Sequence, residues 1–193
     1  MTKEQTFKAI ESISGPMSEA LKSAWTEKST VRLVKKGEVL VHEGERSTDL
    51  WFVAHGTIRA FYFKDGKQIC DWFGFKGDFI CAITSYYQDK PSLHQVDMLS
   101  DGVLLSTSRE NIETLCDQFH EFERLGRMSA TSTMIALQEK IVSIQFETSQ
   151  KRLENLLEVR PDIYQLVPLG DIASYLGMTQ ETLSRIRAAH ARI

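Results

Sequence analysis

The sequence has 193 residues and a formal net charge of −3, with 42% hydrophobic and 25% charged residues. This composition is typical of a globular protein with one large or two small domains. No apolar run approaches the ~18 residues of a membrane-spanning helix, and the N-terminus lacks the apolar core of a signal peptide. We therefore expect a cytoplasmic protein with no membrane partner. The three cysteines (Cys70, Cys81 and Cys116) have no metal-ligand or disulfide spacing and are interpreted as buried thiols.

Two short helices are predicted at the start of the chain. Apolar residues recur at roughly helical spacing between residues 4 and 27, and Ser14-Gly15-Pro16 interrupts them. From residue 30 to 107 the pattern changes to short β-branched and aromatic segments separated by frequent glycine turns, of which Asp65-Gly66 is a strong hairpin signal. This second pattern predicts an antiparallel β-barrel or jelly roll. The apolar positions of the two helices are Phe7, Ile10, Ile13, Met17, Leu21 and Trp25.

A long helix is predicted from about residue 119 to 147, after a shorter helix that Ser108 would cap. The long helix carries two apolar stripes. One stripe can pack on the chain's own barrel, and the simplest partner for the other is the same helix in a second copy. The alternative is a helix buried on both sides within one chain. The stripes are Leu125, Met128, Ile135 and Val142, of which the last three are assigned to the dimer helix, and Met134, Leu137, Ile141 and Ile144.

The C-terminal part of the chain has the pattern of a helix-turn-helix. Gly177 stands where the first helix must end, Thr179 is a good N-cap for the second, and Ala173 is small enough for a helix crossing. With Leu183 turned inward, the second helix presents its polar side chains outward, where they can read bases in a major groove. The alternative is an ordinary αα-corner with a solvated polar face. The candidate DNA-binding residues are Thr179, Gln180, Glu181, Ser184, Arg185 and Arg187.

Positive charge is concentrated at the same end of the chain. Residues 150–193 hold six lysines and arginines against five acidic residues, a net charge of +1, whereas the rest of the chain carries −4. After Glu181 there is no further acidic residue, and His190 and Arg192 follow the two helix arginines. This distribution favours contact with a phosphate backbone at one end only.

The order of these elements resembles the Crp/Fnr superfamily of bacterial transcription regulators, and the resemblance covers nearly all of the chain. The motifs that carry it are Lys36-Gly37-Glu38-Val39-Leu40, Glu43-Gly44-Glu45, Leu50-Trp51-Phe52-Val53, Gly56-Thr57-Ile58-Arg59, Asp65-Gly66-Lys67, Gly77-Asp78-Phe79-Ile80 and the recognition-helix segment from Gly177 to Ile186.

The resemblance implies an α+β fold in three parts. An N-terminal antiparallel β-barrel or jelly roll of the cyclic-nucleotide-binding type would occupy residues 1–118, a long dimerisation helix residues 119–147, and a helical, winged-type helix-turn-helix domain residues 148–193. It implies a homodimer that binds double-stranded DNA, with RNA polymerase as a further partner. The family's base-reading Glu and second Arg match Glu181 and Arg185, whereas Gln180 replaces an Arg, so a different operator is expected.

The resemblance also implies an effector pocket after the Gly-Asp-Phe turn. Nucleotide-binding members carry a Gly-Glu pair there, which holds the ribose, and a later Arg that pairs with the phosphate. Here Cys81 and Ala82 occupy the Gly-Glu positions and Ser92 lies at or near the Arg position. A missing charge-assisted pair costs about 1.5–3 kcal/mol, so the sequence argues against cyclic AMP or cyclic GMP as a ligand, with Lys90 or His94 as partial substitutes for the Arg. The candidate pocket residues are Phe79, Ile80, Cys81, Ala82, Ile83, Ser92 and Leu93.

Other effector chemistries of the family are weighed in the same way. An iron–sulfur cluster would need N-terminal cysteines, and the first cysteine is Cys70. His42, His55 and His94 stay open as haem ligands, and a redox role for Cys81 stays open beside simple burial. No cofactor is therefore assigned, and both the existence and the identity of a small-molecule effector stay open.

Three further features of the sequence concern enzymatic activity, the type of target and the length of the connection before the helix-turn-helix. The chain has no recognisable nucleophile–base pair, metal cluster or phosphate loop, so we expect no enzymatic activity and no metal site. A cyclic-nucleotide-binding regulatory module that acts on a protein target is the alternative function. The connection from residue 160 to 168 leaves room for only a minimal β-hairpin wing.

Overall fold

The computed structural model describes residues 3–190, except for the side chains of Lys3, Ile13, Ser14 and His190. The predicted roles of Ile13, His190 and Arg192 therefore lie outside the described residues. In chain order the elements are α1 (Lys3–Ser14), α2 (Glu19–Lys28), β1 (Ser29–Val34), β2 (Val39–Val41), β3 (Asp49–His55), β4 (Ile58–Lys64), β5 (Lys67–Gly74), β6 (Phe79–Cys81), α3 (Ile83–Gln88), β7 (Gln95–Met98), β8 (Gly102–Ser108), α4 (Arg109–Gln118), α5 (His120–Phe146), α6 (Ser149–Val159), α7 (Ile163–Leu166), α8 (Leu169–Tyr175) and α9 (Gln180–His190).

The eight strands form two four-stranded sheets, ordered β1-β8-β3-β6 and β2-β7-β4-β5. In the first sheet β8 lies between β1 and β3, with Ser29 opposite Thr107 and Leu50 opposite the same threonine from the other side. β8 pairs with β1 and β3, β6 pairs with β3, and β7 pairs with β2, in each case antiparallel. This strand order is that of a jelly roll, as the glycine-punctuated pattern predicted.

The chain divides into two compact units. The N-terminal unit contains residues 1–60 and 73–131, and the C-terminal unit contains residues 61–72 and 132–193. These limits differ from the predicted boundaries after residues 118 and 147 in two respects. The helix α5 is shared between the units, and residues 61–72, the end of the β4–β5 hairpin, belong to the C-terminal unit. We call residues 61–72 the hairpin end.

The core of the N-terminal unit is built around Trp25 of α2, which is 1% exposed. Its ring makes edge contacts with Phe7 at 5.2 Å and with Phe122 at 4.8 Å between centroids. Its indole Nε1 donates a hydrogen bond of 3.0 Å to the hydroxyl of Thr107 on β8, so the one polar atom of the ring is satisfied inside the core. The apolar stripe predicted for the first two helices thus packs against the first sheet.

The long helix α5 is exposed along most of its length. Phe122 is buried and Leu125 is packed on the N-terminal core, but Ile135 is 49% and Met134 61% exposed. Leu125 thus packs on the N-terminal core, whereas most members of both stripes are exposed in the single chain. The exposed members are Met128, Met134, Ile135, Ile141, Val142 and Ile144.

Two local features were not specified by the sequence analysis. β6 pairs with β3, and the short helix α3 follows it directly, in the segment assigned only as a pocket cassette. The connection from residue 160 to 168 contains the helix α7 and no strand, so a wing is not formed there. Within residues 3–190, no helix combines the length and the apolar character that crossing a membrane would require.

Candidate nucleic-acid interface and effector pocket

The turn between α8 and α9 has the predicted helix-turn-helix geometry. Gly177 has a φ of +65°, a value that disfavours residues with a Cβ, and the N–H of Met178 donates to the carbonyl of Ala173 at 2.9 Å. The hydroxyl of Thr179 accepts from the N–H of Thr182 at 3.2 Å and so caps α9. Ala173 is 1% and Leu183 0% exposed, as expected for the point where the two helices cross.

The polar face of α9 is open to solvent. Gln180, Glu181, Ser184 and Arg185 are all exposed, together with the cap residue Thr179. Because Leu183 on the same helix is fully buried, the inward and outward faces of α9 are clearly separated. The structure therefore brings these candidate DNA-binding residues together on one accessible surface.

The start of α9 keeps Glu181 ionised. Its own backbone N–H and the hydroxyl of Thr179 lower the pKa of the Glu181 carboxyl, and the positive charges of Arg185 and Lys67 add to this effect. A carboxylate at this place is a hydrogen-bond acceptor, which suits the exocyclic amine of cytosine.

Arg187 differs from the other candidates. Its guanidinium lies over the ring of Tyr164 on α7, 4.3 Å from the centroid. This cation–π contact gives Arg187 a packing role within the C-terminal unit, and it holds α7 against α9. Arg187 is itself exposed, and its place among the DNA-binding residues stays a prediction.

Arg152 on α6 is a supporting residue that the sequence analysis did not identify. Its Nε donates to the carbonyl of Leu176 at 2.8 Å, and one terminal nitrogen donates to the carbonyl of Glu147 at 2.8 Å. The side chain thereby satisfies a carbonyl at the end of α8 and ties the turn to α6. In the sequence, Arg152 is one positively charged residue on an amphipathic helix. That pattern does not indicate which backbone carbonyls its side chain contacts.

The hairpin end is bonded to the first helix of the helix-turn-helix. Gln68 Nε2 donates to a carboxylate oxygen of Asp171 at 2.7 Å, and the N–H of Cys70 donates to the hydroxyl of Ser174 at 3.0 Å. Asp171 is only 6% exposed, so its carboxylate depends on such partners. These bonds join residues about a hundred positions apart in the chain and could not be read from local sequence.

The residues predicted to line the effector pocket differ in their exposure to solvent. Ile80, Cys81, Ala82 and Ser92 are buried, whereas Ile83 is 50% and Leu93 62% exposed. Phe79 packs in the core, with its ring 5.1 Å from that of Phe52. The predicted pocket residues therefore do not share one environment: Phe79 packs in the core, four others are buried, and Ile83 and Leu93 lie at the surface.

Ser92, which the resemblance places at or near the position of the family's phosphate-binding Arg, has a structural role. Its N–H donates to the carbonyl of Glu45 and its carbonyl accepts from Gly44, each at 2.8 Å. Its hydroxyl donates to the carbonyl of His94 at 2.7 Å. Ser92 thus joins two loops of the barrel, and its hydroxyl is used within its own loop.

Arginines of the N-terminal unit that could replace the missing cation are already engaged. Arg59 forms a two-pronged pair with Asp97, with N–O distances of 2.7 and 2.9 Å. Arg109 donates to the carbonyl of Tyr86 on α3 at 2.8 Å. A cyclic phosphate that recruited either of these two guanidinium groups would have to break its contact, which adds to the cost of binding.

The surroundings of α3 favour neutral groups. Burial raises the pKa of Cys81 to about 12, and it also raises the pKa of Tyr86 and of Tyr87. An environment that disfavours a thiolate and two phenolates also disfavours a phosphate anion. Within the described part of the chain, no group of three or more His, Cys, Asp and Glu residues is arranged to hold a metal ion.

Cys81 is expected to be unreactive in the folded protein. Burial raises the pKa of the Cys81 thiol to about 12, which disfavours the reactive thiolate, and the side chain is inaccessible. Incubation with iodoacetamide at pH 8 followed by peptide mass spectrometry should show Cys116, which is only partly buried, modified before Cys81. Labelling in urea gives the fully accessible control, and rapid native labelling of Cys81 would contradict its burial.

Comparisons with known proteins agree with this architecture. Residues 31–119 match the cyclic nucleotide-binding domain family. The structure of FixK2 from Bradyrhizobium japonicum aligns with this chain at 20% sequence identity and a TM-score of 0.69. The alignment covers 85% of this chain and 85% of the FixK2 chain. A CooA mutant from Carboxydothermus hydrogenoformans is 17% identical over 94% of this chain and 83% of that one, with a TM-score of 0.72. A Crp/Fnr-family regulator from Eubacterium rectale is 18% identical over 91% and 85% of the two chains, with a TM-score of 0.67. No curated protein matches the sequence.

The class of the protein follows from the fold and these matches. Residues 31–119 form a cyclic nucleotide-binding-type domain, and the chain as a whole has the fold of Crp/Fnr regulators. The predicted fold class and the resemblance stated from the sequence are confirmed at this level.

Proposed function

We propose that this protein is a cytoplasmic, non-enzymatic transcription regulator that binds specific double-stranded DNA as a homodimer. The observation that carries the proposal is the open polar face of α9, where Gln180, Glu181, Ser184 and Arg185 are exposed beside the fully buried Leu183. A recognition helix needs this separation, because its inner face must fix its position while its outer face enters the major groove.

The chemistry of this face suits base reading. Arg185 can donate two hydrogen bonds to one guanine, Gln180 can pair with adenine, and the ionised Glu181 can accept from cytosine. The exposed stripes of α5 supply the surface for a second copy, which would place two recognition helices on half-sites related by two-fold symmetry. RNA polymerase is a further expected partner of such a dimer.

Selection from a pool of random duplexes tests this proposal. We expect enrichment of a two-fold symmetric site bound at least 10³-fold more tightly than unrelated duplex at physiological salt, as is usual for specific regulators. Heat-unfolded protein provides the control for non-specific retention. Equal affinity for all duplexes across the full salt range would contradict sequence-specific regulation and favour a module that acts on a protein target.

The effector is proposed to be a small molecule other than cyclic AMP or cyclic GMP. A ligand with a Kd of about 1 μM, added at about 100 μM, stabilises a protein by about 2.7 kcal/mol and raises Tm by several degrees. We expect cyclic AMP under these conditions to shift Tm by less than about 1 °C, because Ser92 and the paired arginines offer the phosphate no ready partner. Differential scanning fluorimetry measures this, and a shift of several degrees would contradict the assignment.

A further inference from the structure

The C-terminal unit contains a β-hairpin that comes from a distant part of the sequence. Within the described residues of this unit, 61–72 and 132–190, β structure occurs only in the hairpin end. The connection between α6 and α8 contains the four-residue helix α7 and no strand. The hairpin of the described part of this unit is therefore contributed by residues 61–72.

The hairpin end is held to the helix-turn-helix by its side chains and backbone. Besides the Gln68–Asp171 and Cys70–Ser174 bonds, Lys140 of α5 donates to the carbonyl of Asp71 at 2.6 Å. The same ammonium lies over the ring of Tyr175 on α8, 4.2 Å from the centroid. Burial raises the pKa of Tyr175 to about 12, so the phenol stays neutral beside this group. The contacts fix β5 along one side of α8.

The tip of the hairpin presents two lysines to solvent. Asp65 and Gly66 form the turn with φ values of +51° and +73°, the signature of a two-residue hairpin with both central residues in the left-handed region. Lys64 and Lys67 flank this turn and are exposed. The tip carries one acidic residue between two cations, so its net charge is positive.

The hairpin end is bonded to α8, and α8 packs directly against α9. The positive charge of Lys67 is also among the causes that lower the pKa of Glu181 on α9, after the backbone N–H, Thr179 and Arg185. Glu181 and Arg185 nevertheless remain exposed, so the hairpin does not block the face of α9. Two exposed cations next to an open base-reading face form a surface suited to a polyanion that runs past the helix.

We propose that the hairpin end serves as the wing of this DNA-binding unit, with Lys64 and Lys67 contacting the phosphate backbone that flanks the bases read by α9. This inference rests on the proposed function and assigns to the DNA interface residues that lie in the N-terminal half of the sequence. Lysine suits the task, because a flexible point charge neutralises a phosphate without reading a base.

The test is the salt dependence of DNA binding by a Lys64→Gln/Lys67→Gln variant, measured by fluorescence anisotropy between 50 and 200 mM salt. Each lost phosphate contact lowers the slope of log K against log salt by about 0.9, so we expect a decrease of about 1.8 and a loss of affinity of about tenfold or more. The loss should be equal for the selected duplex and an unrelated one. Lys76→Gln removes one exposed lysine from the turn before β6 and is the matched control, with an unchanged slope.

A second variant tests the docking of the hairpin. Gln68→Ala removes the bond to Asp171 and should lower the slope in the same direction while leaving both lysines in place. An unchanged slope in the double-lysine variant would overturn the inference while leaving sequence-specific binding by the unaltered protein intact. Tighter binding by that variant would also overturn it, because the hairpin would then shield α9. Absence of specific binding by the unaltered protein would overturn the proposed function itself.

Discussion

Replacing Arg185 by alanine is expected to weaken binding to the selected duplex by about 1–3 kcal/mol, roughly 5- to 150-fold, and to relax the preference at one base pair. Arg185 is exposed on the outer face of α9, one turn after Glu181, and its guanidinium can form two hydrogen bonds with one guanine. Fluorescence anisotropy with the selected duplex and with single-base variants of it measures both effects. The expected signature is a loss of discrimination at one position and unchanged discrimination elsewhere.

Arg187→Ala is the matched control on the same helix. Its guanidinium is stacked on Tyr164, so its removal should cost packing of α7 and a smaller, sequence-independent amount of affinity. The helix itself should persist in both variants, because Leu183 and the Thr179 cap are untouched. If Arg185→Ala retains full affinity and full discrimination, α9 is not the base-reading helix.

Replacing Ile135 by glutamate is expected to convert the dimer to a monomer and to lower affinity for the two-half-site duplex by 10²-fold or more. In the single chain Ile135 is 49% exposed on α5, so a carboxylate is tolerated there until a second helix covers it. A carboxylate buried between two copies of α5 would lose its hydration without gaining a cation. Size-exclusion chromatography with light scattering reports the oligomeric state, and anisotropy reports the affinity.

Ile135→Leu is the control for this substitution. It keeps the apolar surface and should leave a dimer, since volume-conserving aliphatic exchanges cost little in a helix interface. The glutamate variant should melt as a folded protein, because its effect is confined to the exposed stripe. If it remains a dimer of unchanged affinity, then α5 is not the contact between copies, and the assignment of Met128, Ile135 and Val142 is wrong.

The predicted elements that the structure reproduces are those with strong local signals. The helices near residues 109–118, 120–146 and 149–159 follow from 3.6-residue periodicity, and the strands before and after Asp65-Gly66 follow from alternation and turn chemistry. The helix-turn-helix was predictable in detail, because each of its key residues meets a local requirement. Ala173 is small enough for the helix crossing, Gly177 adopts the positive φ that ends α8, and Thr179 caps α9. The expected absence of tight cyclic-nucleotide binding also rests on residue identity, at Cys81, Ala82 and Ser92.

The sequence by itself therefore determined the order of the elements, the jelly roll and the helix-turn-helix, because periodicity, turns and caps act between residues a few positions apart. Only the tertiary structure decided what these elements touch. It placed the hairpin end against α8 through Gln68 and Asp171, stacked Arg187 on Tyr164, and left both stripes of α5 open. These outcomes depend on contacts between distant segments, and no local pattern specifies which exposed face meets which partner.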